Sequence, residues 1–285
     1  MPELPEIETT RRGLSPFLLS QTITEITIRQ PQLRLPVTPA LDNLCAGQVV
    51  KAIYRRAKYL LLQLSEGYLL IHLGMSGHLR ITDKTSIATK HDHIDMLLQN
   101  GLILRYNDPR RFGLWLYLKE DPYQHRLLAH LGPEPLDDSF TGGYLIQRAR
   151  HKKQSIKSFI MSNDVVVGVG NIYATESLFL AGIHPLTPAG SLTLTQYDRL
   201  VTHIKQVLEQ AIKAGGTTLR DFYAVDGKPG YFTNDLQVYG RKNLPCFQCQ
   251  TLITTAVIGG RNSAFCPRCQ PSTFNAMQTQ QIVSR

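Results

Sequence analysis

Gly132-Pro133-Glu134-Pro135 decides how this chain divides. Each proline fixes its own φ and pushes the residue before it out of the helical region, so neither a strand nor a helix runs through the stretch. The hydrophobic pattern differs on its two sides. Toward the N-terminus apolar residues fall in short runs separated by turns: Thr22 to Ile28, then Tyr59 to Leu64 and Tyr68 to Leu73 around Ser65-Glu66-Gly67. His93 to Leu98 and Leu102 to Tyr106 flank Asn100-Gly101, a dipeptide that tolerates the positive φ of a tight hairpin. Phe112 to Leu118 is expected to continue that meander. Residues 1–133 therefore read as a β-sandwich or flattened barrel carrying one N-terminal helix.

Beyond the divide the period turns helical. Thr193 with Gln196 three positions on has the spacing of a capping box, and Leu200, Val201, Ile204, Val207, Leu208 and Ala211 form one apolar stripe ending at Gly215-Gly216. Gly168-Val169-Gly170-Asn171 opens a helical run from Ile172 to Ala181, which would set backbone amides and the Asn171 side chain at a positively polarised helix start suited to a phosphate. Neither the dinucleotide glycine pattern nor a Gly-Lys-Ser/Thr loop is present, so no nucleotide cofactor is expected. Between Ser139 and Asn163 stand Arg148, Arg150, Lys152, Lys153 and Lys157 and no acid, either a solvated helix face or a surface that tracks phosphates. Asp221 to Tyr231 is rich in turn residues and aromatics, with no period, and reads as a lid or a linker.

The sharpest single motif is Cys246-x-x-Cys249, sixteen residues, then Cys266-x-x-Cys269. The spacing suits one zinc ion, and four thiolates leave no open position for water, so the metal should be structural. Thr251 to Ile258 and Ser263 to Phe265 can form a hairpin turning at Gly259-Gly260, with Arg261 at its tip. Residues after Gln270 carry no apolar pattern and read as a disordered tail. His91-Asp92-His93 with Asp95 alternates as a strand, with the histidines on one face and Asp92 on the other, which favours hydrogen-bonded histidines over a second metal.

The chain of 285 residues carries a net charge of +9, with a pI near 9.4, which points to an anionic partner. No apolar run reaches the roughly 18 residues that a membrane span needs, and nucleic acid outranks a membrane surface. Four of the five cysteines pair by spacing, as expected in a reducing cytoplasm; Cys45 lies in an apolar context and reads as a buried small hydrophobe. At the other end stands Met1-Pro2-Glu3-Leu4-Pro5-Glu6. Removal of Met1 would expose a secondary amine titrating near roughly pH 8, a nucleophile that no internal residue can imitate. Glu3 and Glu6 stand beside it for proton transfer. The plain alternative is a capped helix, with Pro5, Glu6 and Glu8 at its start and Arg11, Arg12 and Gly13 at its end.

Taken in order, these motifs resemble the bacterial formamidopyrimidine-DNA glycosylases over about residues 1–270. The resemblance rests on Pro-Glu-Leu-Pro-Glu at the start, Lys58 in Arg-Ala-Lys-Tyr, His-Leu-Gly-Met-Ser-Gly at 72–77 and Asp-Pro-Arg-Arg-Phe-Gly at 108–113. It extends through Val-Gly-Val-Gly-Asn-Ile-Tyr-Ala at 167–174 and Asp-Gly-Lys-Pro-Gly-Tyr-Phe at 226–232 to the cysteine module with Arg261. It implies an α+β multidomain fold: an N-terminal catalytic β-sandwich domain at 1–133, a helix-two-turn-helix DNA-binding domain at 134–235, a four-cysteine zinc finger at 236–270 and a tail at 271–285. DNA would lie between the two ends.

The same resemblance implies a bifunctional enzyme of base excision repair, monomeric and associated with the nucleoid. It would excise oxidised purines such as 8-oxoguanine and then cleave the strand as an AP lyase by β,δ-elimination. Pro2 would attack C1′ of the damaged nucleotide, Glu3 would move protons and Glu6 would assist. Lys58, Asn171 and Arg261 would grip phosphates around the lesion, and His93, Arg111 and Lys153 would also contact DNA. Met75, Arg110 and Phe112 would fill the gap left by the extruded base, with residues 110 and 112 projecting to one face of an extended segment. The loop from about Arg220 to Tyr231 would close on that base. A sister family that removes oxidised pyrimidines shares Pro2 and Glu3, so lesion class rests on Leu4 and that loop. A non-catalytic DNA-binding protein is the rival from another class, against which intact Pro2, Glu3 and Lys58 argue.

Overall fold

The computed structural model describes residues 2–216 and 235–272. The expected lid at 220–231 and the tail beyond residue 272 lie outside the described residues. The chain forms two compact units, one drawn from Met1–His130 with Ala211–Thr233, the other from Leu131–Gln210 with Asn234–Arg285.

The first unit opens with helix α1, Leu4–Leu18. Glu3 is its N-cap: the Glu3 backbone N–H donates to Glu6 Oε2 at 2.8 Å, and the Glu3 carboxyl accepts from the Glu6 backbone, so two orphan donors of the first turn are satisfied reciprocally. Pro5 sits in that turn, where no intrahelical N–H is needed. The helix does not stop at Gly13 as expected. Leu14 and Leu18 extend the buried stripe begun by Ile7, and that burial carries the helix through Gly13 and Pro16 for another turn and a half.

Two four-stranded antiparallel sheets follow. Strands β1 (Ile23–Ile28), β6 (Asp92–Leu98), β7 (Ile103–Asn107) and β5 (His78–Thr82) lie in that spatial order in one sheet. The other holds β2 (Ala52–Arg56), β3 (Tyr59–Gln63), β4 (Tyr68–His72) and β8 (Leu114–Leu118). Inward residues of both sheets, among them Ile26, Leu60, Ile71, Ile94, Leu104 and Trp115, share one core with Ile7, Leu14 and Leu18 of α1. This is the sandwich of the two architectures expected, with a short helix α2 (Leu41–Cys45) contributing the buried Cys45. The meander expected through Phe112 is broken. β8 does not extend β7's sheet but pairs with β4 in the other, Ile71 opposite Trp115. The chain is redirected by a tight turn at 108–113, in which the Asp108 carboxyl accepts from the backbone N–H of Arg110 and Gly113 and Arg111 takes a left-handed φ of 57°.

Glu8 fastens α1 to the sheet, binding Arg11 and Arg12 on its own helix at 2.8 Å and Arg55 of β2 at 3.4 Å. Burial alone would push the Glu8 carboxyl up, but hydrogen bonds from Arg11 and Arg12 and the charges of Arg11 and Arg55 outweigh it and hold it down at about 2.

In the second unit, α3 (Gly142–Ala149), α4 (Ile156–Ile160), α5 (Asn171–Leu180) and all but the last three residues of the twenty-residue α6 (Leu194–Lys213) form the helical part. Thr193 and Gln196 close the expected box at the start of α6, and all six residues of its stripe are buried. A hairpin of β9 (Thr254–Ile258) and β10 (Arg261–Phe265) turns at Gly259-Gly260, both at positive φ. Phe179 of α5 packs in one cluster with Val238, Ile253, Ala264, Cys246 and Cys266.

Glu8 makes acid stability of the first unit testable. Its folded value lies below its ordinary 4.5, so its contribution is complete above about pH 4.5 and is lost as pH falls toward about 2. Urea unfolding at a series of pH values should show that decline in the wild type and a flatter profile for Glu8→Gln. Identical slopes would assign the acid sensitivity elsewhere.

Candidate active site and nucleic-acid interface

A chain terminus ordinarily frays. Here Pro2, Glu3 and Glu6 are all buried, fixed by the capping box of α1. Residue 2 is thus held directly beside a buried carboxyl at a helix start, where the dipole favours negative charge. Gly216 abuts the same place. A Cβ there would meet Glu6 Oε1 at 3.2 Å, and its φ of +86° suits glycine, so the backbone passes close to Glu6.

Two turns at one end of the sandwich carry the proposed wedge. Met75 lies exposed in the turn between β4 and β5, and Phe112 lies exposed in the turn before β8. The Arg110 guanidinium stacks over the Phe112 ring at 4.8 Å. The expected shared face of residues 110 and 112 arises from a turn, not from an extended segment, because Pro109 and Arg110 are in the turn and Arg111 is left-handed. Arg111 is exposed. His93 is turned inward instead: it is buried, and its Nε2 hydrogen-bonds the Asp108 carbonyl at 2.8 Å. The histidines do share a face, with the His91 and His93 rings 6.3 Å apart, while Asp92 binds Arg80 and Asn107.

Lys58 sits half-buried in the two-residue turn joining β2 to β3, where Ala57 adopts a φ of 53°. Beside it lies His72, to which the sequence motif alone assigns no role. Burial, then the positive charges of Lys58 and Arg34, lower the His72 imidazole to about 4 against an upward pull from Asp108. The neutral ring accepts the Gly74 N–H on Nδ1 at 2.9 Å, immediately before Met75. Its position within His-Leu-Gly-Met-Ser-Gly was the available signal.

In the second unit Asn171 and the Arg261 strand come together. Asn171 is the first residue of α5; its Oδ1 accepts from Lys157 Nζ at 2.5 Å, and its Nδ2 donates to the Asn262 carbonyl at 3.1 Å. Lys157 also donates to Ser263 Oγ at 2.5 Å and is only 1% exposed. The basic stretch is therefore not a single face: Arg148, Arg150, Lys152 and Lys153 are exposed, Arg148 pairs with Asp164, and Lys157 is turned inward as a strut between α5 and β10. Arg261, exposed, is the first residue of β10, opposite Ile258, and follows the glycine turn directly. Glu176, also unassigned from the sequence, accepts the backbone N–H of Gln237, Val238 and Tyr239 at 2.7–3.0 Å and so pins the chain entering the cysteine module to α5.

The Sγ atoms of Cys246, Cys249, Cys266 and Cys269 lie within 4.8 Å of one another, with contacts of 3.9 and 3.4 Å. Four thiolates about 2.3 Å from a zinc ion would stand about 3.8 Å apart at tetrahedral angles, so the set fits one structural zinc. It is the one such group among the described residues, where His91 and His93 gather no further ligands.

Comparison with known proteins finds three family domains along the chain. Residues 1–115 match the formamidopyrimidine-DNA glycosylase N-terminal domain, 131–223 the formamidopyrimidine-DNA glycosylase H2TH domain, and 243–271 the zinc finger found in FPG and IleRS. The chain belongs to the formamidopyrimidine-DNA glycosylase family. A formamidopyrimidine-DNA glycosylase of Legionella pneumophila (strain Lens) is 61% identical over 271 residues, 95% of this chain and 99% of the relative. Among solved structures, a Lactococcus lactis FPG mutant in complex with a Fapy-dG containing DNA superposes with a TM-score of 0.89 at 34% identity, over 95% of this chain and 100% of that one. A complex of the Lactococcus lactis Fpg with an abasic site containing DNA gives 0.88 at 33%, over 95% and 100%. The family's architecture is therefore the one described here: sandwich with N-terminal helix, helix-two-turn-helix domain and four-cysteine zinc finger. No helix among the described residues is long and apolar enough to cross a membrane.

A zinc ion held by Cys246, Cys249, Cys266 and Cys269 would pin β9 and β10, and with them Arg261 and the partners of Asn171 and Lys157. Stripping the metal should abolish binding to lesion-bearing duplex while the sandwich stays folded, read by gel shift and by near-UV dichroism of Trp115, the single tryptophan. Unimpaired duplex binding by a metal-free protein would show that the finger contributes nothing to the grip.

Proposed function

We propose that this DNA glycosylase of base excision repair removes oxidised purines through a Schiff base to Pro2 and then cuts the strand by β,δ-elimination. The observation that carries the reading is the start of α1, where residue 2 is fixed next to a buried Glu3 by the box with Glu6. With Met1 removed, the Pro2 secondary amine attacks C1′ and the base departs, taking up the proton that the amine gives up; the C1′–O4′ bond then breaks as O4′ takes a proton from the Glu3 carboxyl, which leaves a ring-opened cationic imine and a Glu3 carboxylate. That cation acidifies the C2′ proton. Glu3 takes it, the 3′ phosphate leaves, and a second elimination releases the 5′ phosphate. No further nucleophile is required.

A base cannot be attacked within the stack, so the nucleotide must be extruded at a cost of a few kcal/mol and its gap filled. Met75 and Phe112 supply apolar wedges, and Arg110, stacked on Phe112, offers donors to the orphaned base. Lys58, Asn171 and Arg261 would hold phosphates flanking the lesion, with Arg111 and Lys153 as further exposed cations. His93 would act by fixing the 108–113 turn. Domain limits of 1–133, 134–235 and 236–270, action as a monomer and residence at the nucleoid belong to the same proposal. Relatives solved with Fapy-dG and abasic DNA support the purine and lyase assignments.

Borohydride should trap a covalent adduct with 8-oxoguanine duplex whose peptide map places the sugar on residue 2; an adduct on Lys58 with Pro2 unmodified would falsify the assignment. Glu3→Gln should lose roughly 10²- to 10⁴-fold in excision with duplex binding retained.

Arg110 gives a second test. A guanidinium is a pure donor; the pairing edge of cytosine carries two acceptors, O2 and N3, whereas adenine offers N1 and a competing amino donor. Arg110→Ala should therefore lose preference for lesions opposite cytosine over adenine, worth roughly 1–3 kcal/mol if the contact is bidentate. Uniform weakening on both duplexes with a shallower salt dependence would instead make Arg110 a phosphate contact.

A further inference from the structure

The two wedge turns are joined by one buried group. Asp108 is 0% exposed, and its two carboxyl oxygens take four donors. Oδ1 accepts from Ser76 Oγ at 2.9 Å and from the Arg110 N–H at 3.3 Å; Oδ2 accepts from Tyr106 Oη and the Gly113 N–H, both at 2.9 Å. Ser76 follows Met75, and Arg110 and Gly113 bracket Phe112. The backbone of Asp108 is held too, its N–H donating to the His91 carbonyl at 3.0 Å and its carbonyl accepting from His93. The turns also touch backbone to backbone: a Cβ at Gly74 would meet the Phe112 carbonyl carbon at 2.5 Å and the Gly113 nitrogen at 2.6 Å.

We propose that Asp108 is a positioning residue that locks the Met75 turn and the Arg110–Phe112 turn into one rigid wedge, so that the three side chains enter the duplex as a unit. The proposal rests on the wedge reading given above. Its chemistry follows from the donor count. All four partners donate, so an asparagine at this position offers one acceptor oxygen and turns an amide NH2 toward two donors. The hydroxyls of Ser76 and Tyr106 can rotate and accept; the N–H groups of Arg110 and Gly113 cannot. Asp108→Asn therefore costs the 108–113 turn one backbone hydrogen bond whichever way the amide faces, Arg110 N–H in one orientation and Gly113 N–H in the other, and so loosens that turn against the Met75 turn. A wedge matters only where there is a partner strand to invade, whereas elimination at an abasic site in single-stranded DNA leaves no orphaned base and no gap.

The test compares those two substrates under single-turnover conditions. Asp108→Asn should lower excision of 8-oxoguanine from duplex by about tenfold or more while cleavage of a single-stranded abasic site changes by less than about threefold. Ser76→Ala, which leaves the carboxyl and its three other donors in place, should shift the same ratio in the same direction by less, and it carries the test if Asp108→Asn does not fold. Equal losses on both substrates, or no change in the ratio with either variant, would overturn the proposal. Met75→Ala and Phe112→Ala measured alongside separate the two readings. If they depress duplex excision selectively and the Asp108 and Ser76 variants do not, the lock alone fails; if they leave duplex excision intact, the wedge reading fails and the lock with it.

Discussion

The reciprocal hydrogen bonding of Glu3 and Glu6 solves the problem on which everything else depends, namely keeping the first residues of a chain still. Ends of chains have few contacts and much entropy to lose. Here the capping box fixes the first turn, Glu8 ties the next turn to Arg55 of β2, and Ile7, Leu14 and Leu18 bury the rest of α1 in the sandwich core. The helix thus borrows rigidity from the sheets and passes it back to residue 2. The anchoring of residue 2 thus falls on the residues that follow it in α1.

The second unit uses the same device with opposite charge. A buried ammonium is costly unless its protons find acceptors, and Lys157 finds them in Asn171 on a helix start and Ser263 on the zinc hairpin. Any shift of β10 relative to α5 would strand that charge, so its desolvation enforces the register between Asn171 and the strand that begins at Arg261. Glu176 does the corresponding work farther along α5, gathering three backbone N–H groups at the entry to the cysteine module. Zinc is then the third fastening of a small module that has too little apolar core to hold itself.

Local signals made much of this legible in the sequence. Asn100-Gly101 marks its hairpin, Thr193 with Gln196 marks the start of α6, and the cysteine spacing marks the metal, because each is settled by residues within a few positions of one another. The misses share the opposite character. β8 changes sheets, Lys157 turns inward and α1 runs past Gly13 because of partners 14 to 106 residues away or because of core burial, none of which a local period encodes. His72 was visible as a letter in a motif, but its neutrality depends on burial and on the nearby charges of Lys58 and Arg34, which only the folded chain brings together.

Large apolar side chains left in water cost stability, and Met75 at 37% and Phe112 at 43% exposure are both placed on turns, where the chain is ordinarily most mobile. Covering them with protein would be the simpler way to gain stability, and it would end their availability to a duplex. The alternative is to leave the tips bare and make the turns stiff. Glycines at 74 and 113 let the two backbones close on each other, the left-handed Arg111 reverses the chain in few residues, and Asp108 satisfies from within the polar groups that such a tight crossing would strand. If these tips enter a duplex as proposed, their exposure and the burial of the carboxyl beneath them are two consequences of one requirement: a surface that is to enter another molecule can lean only on what lies behind it.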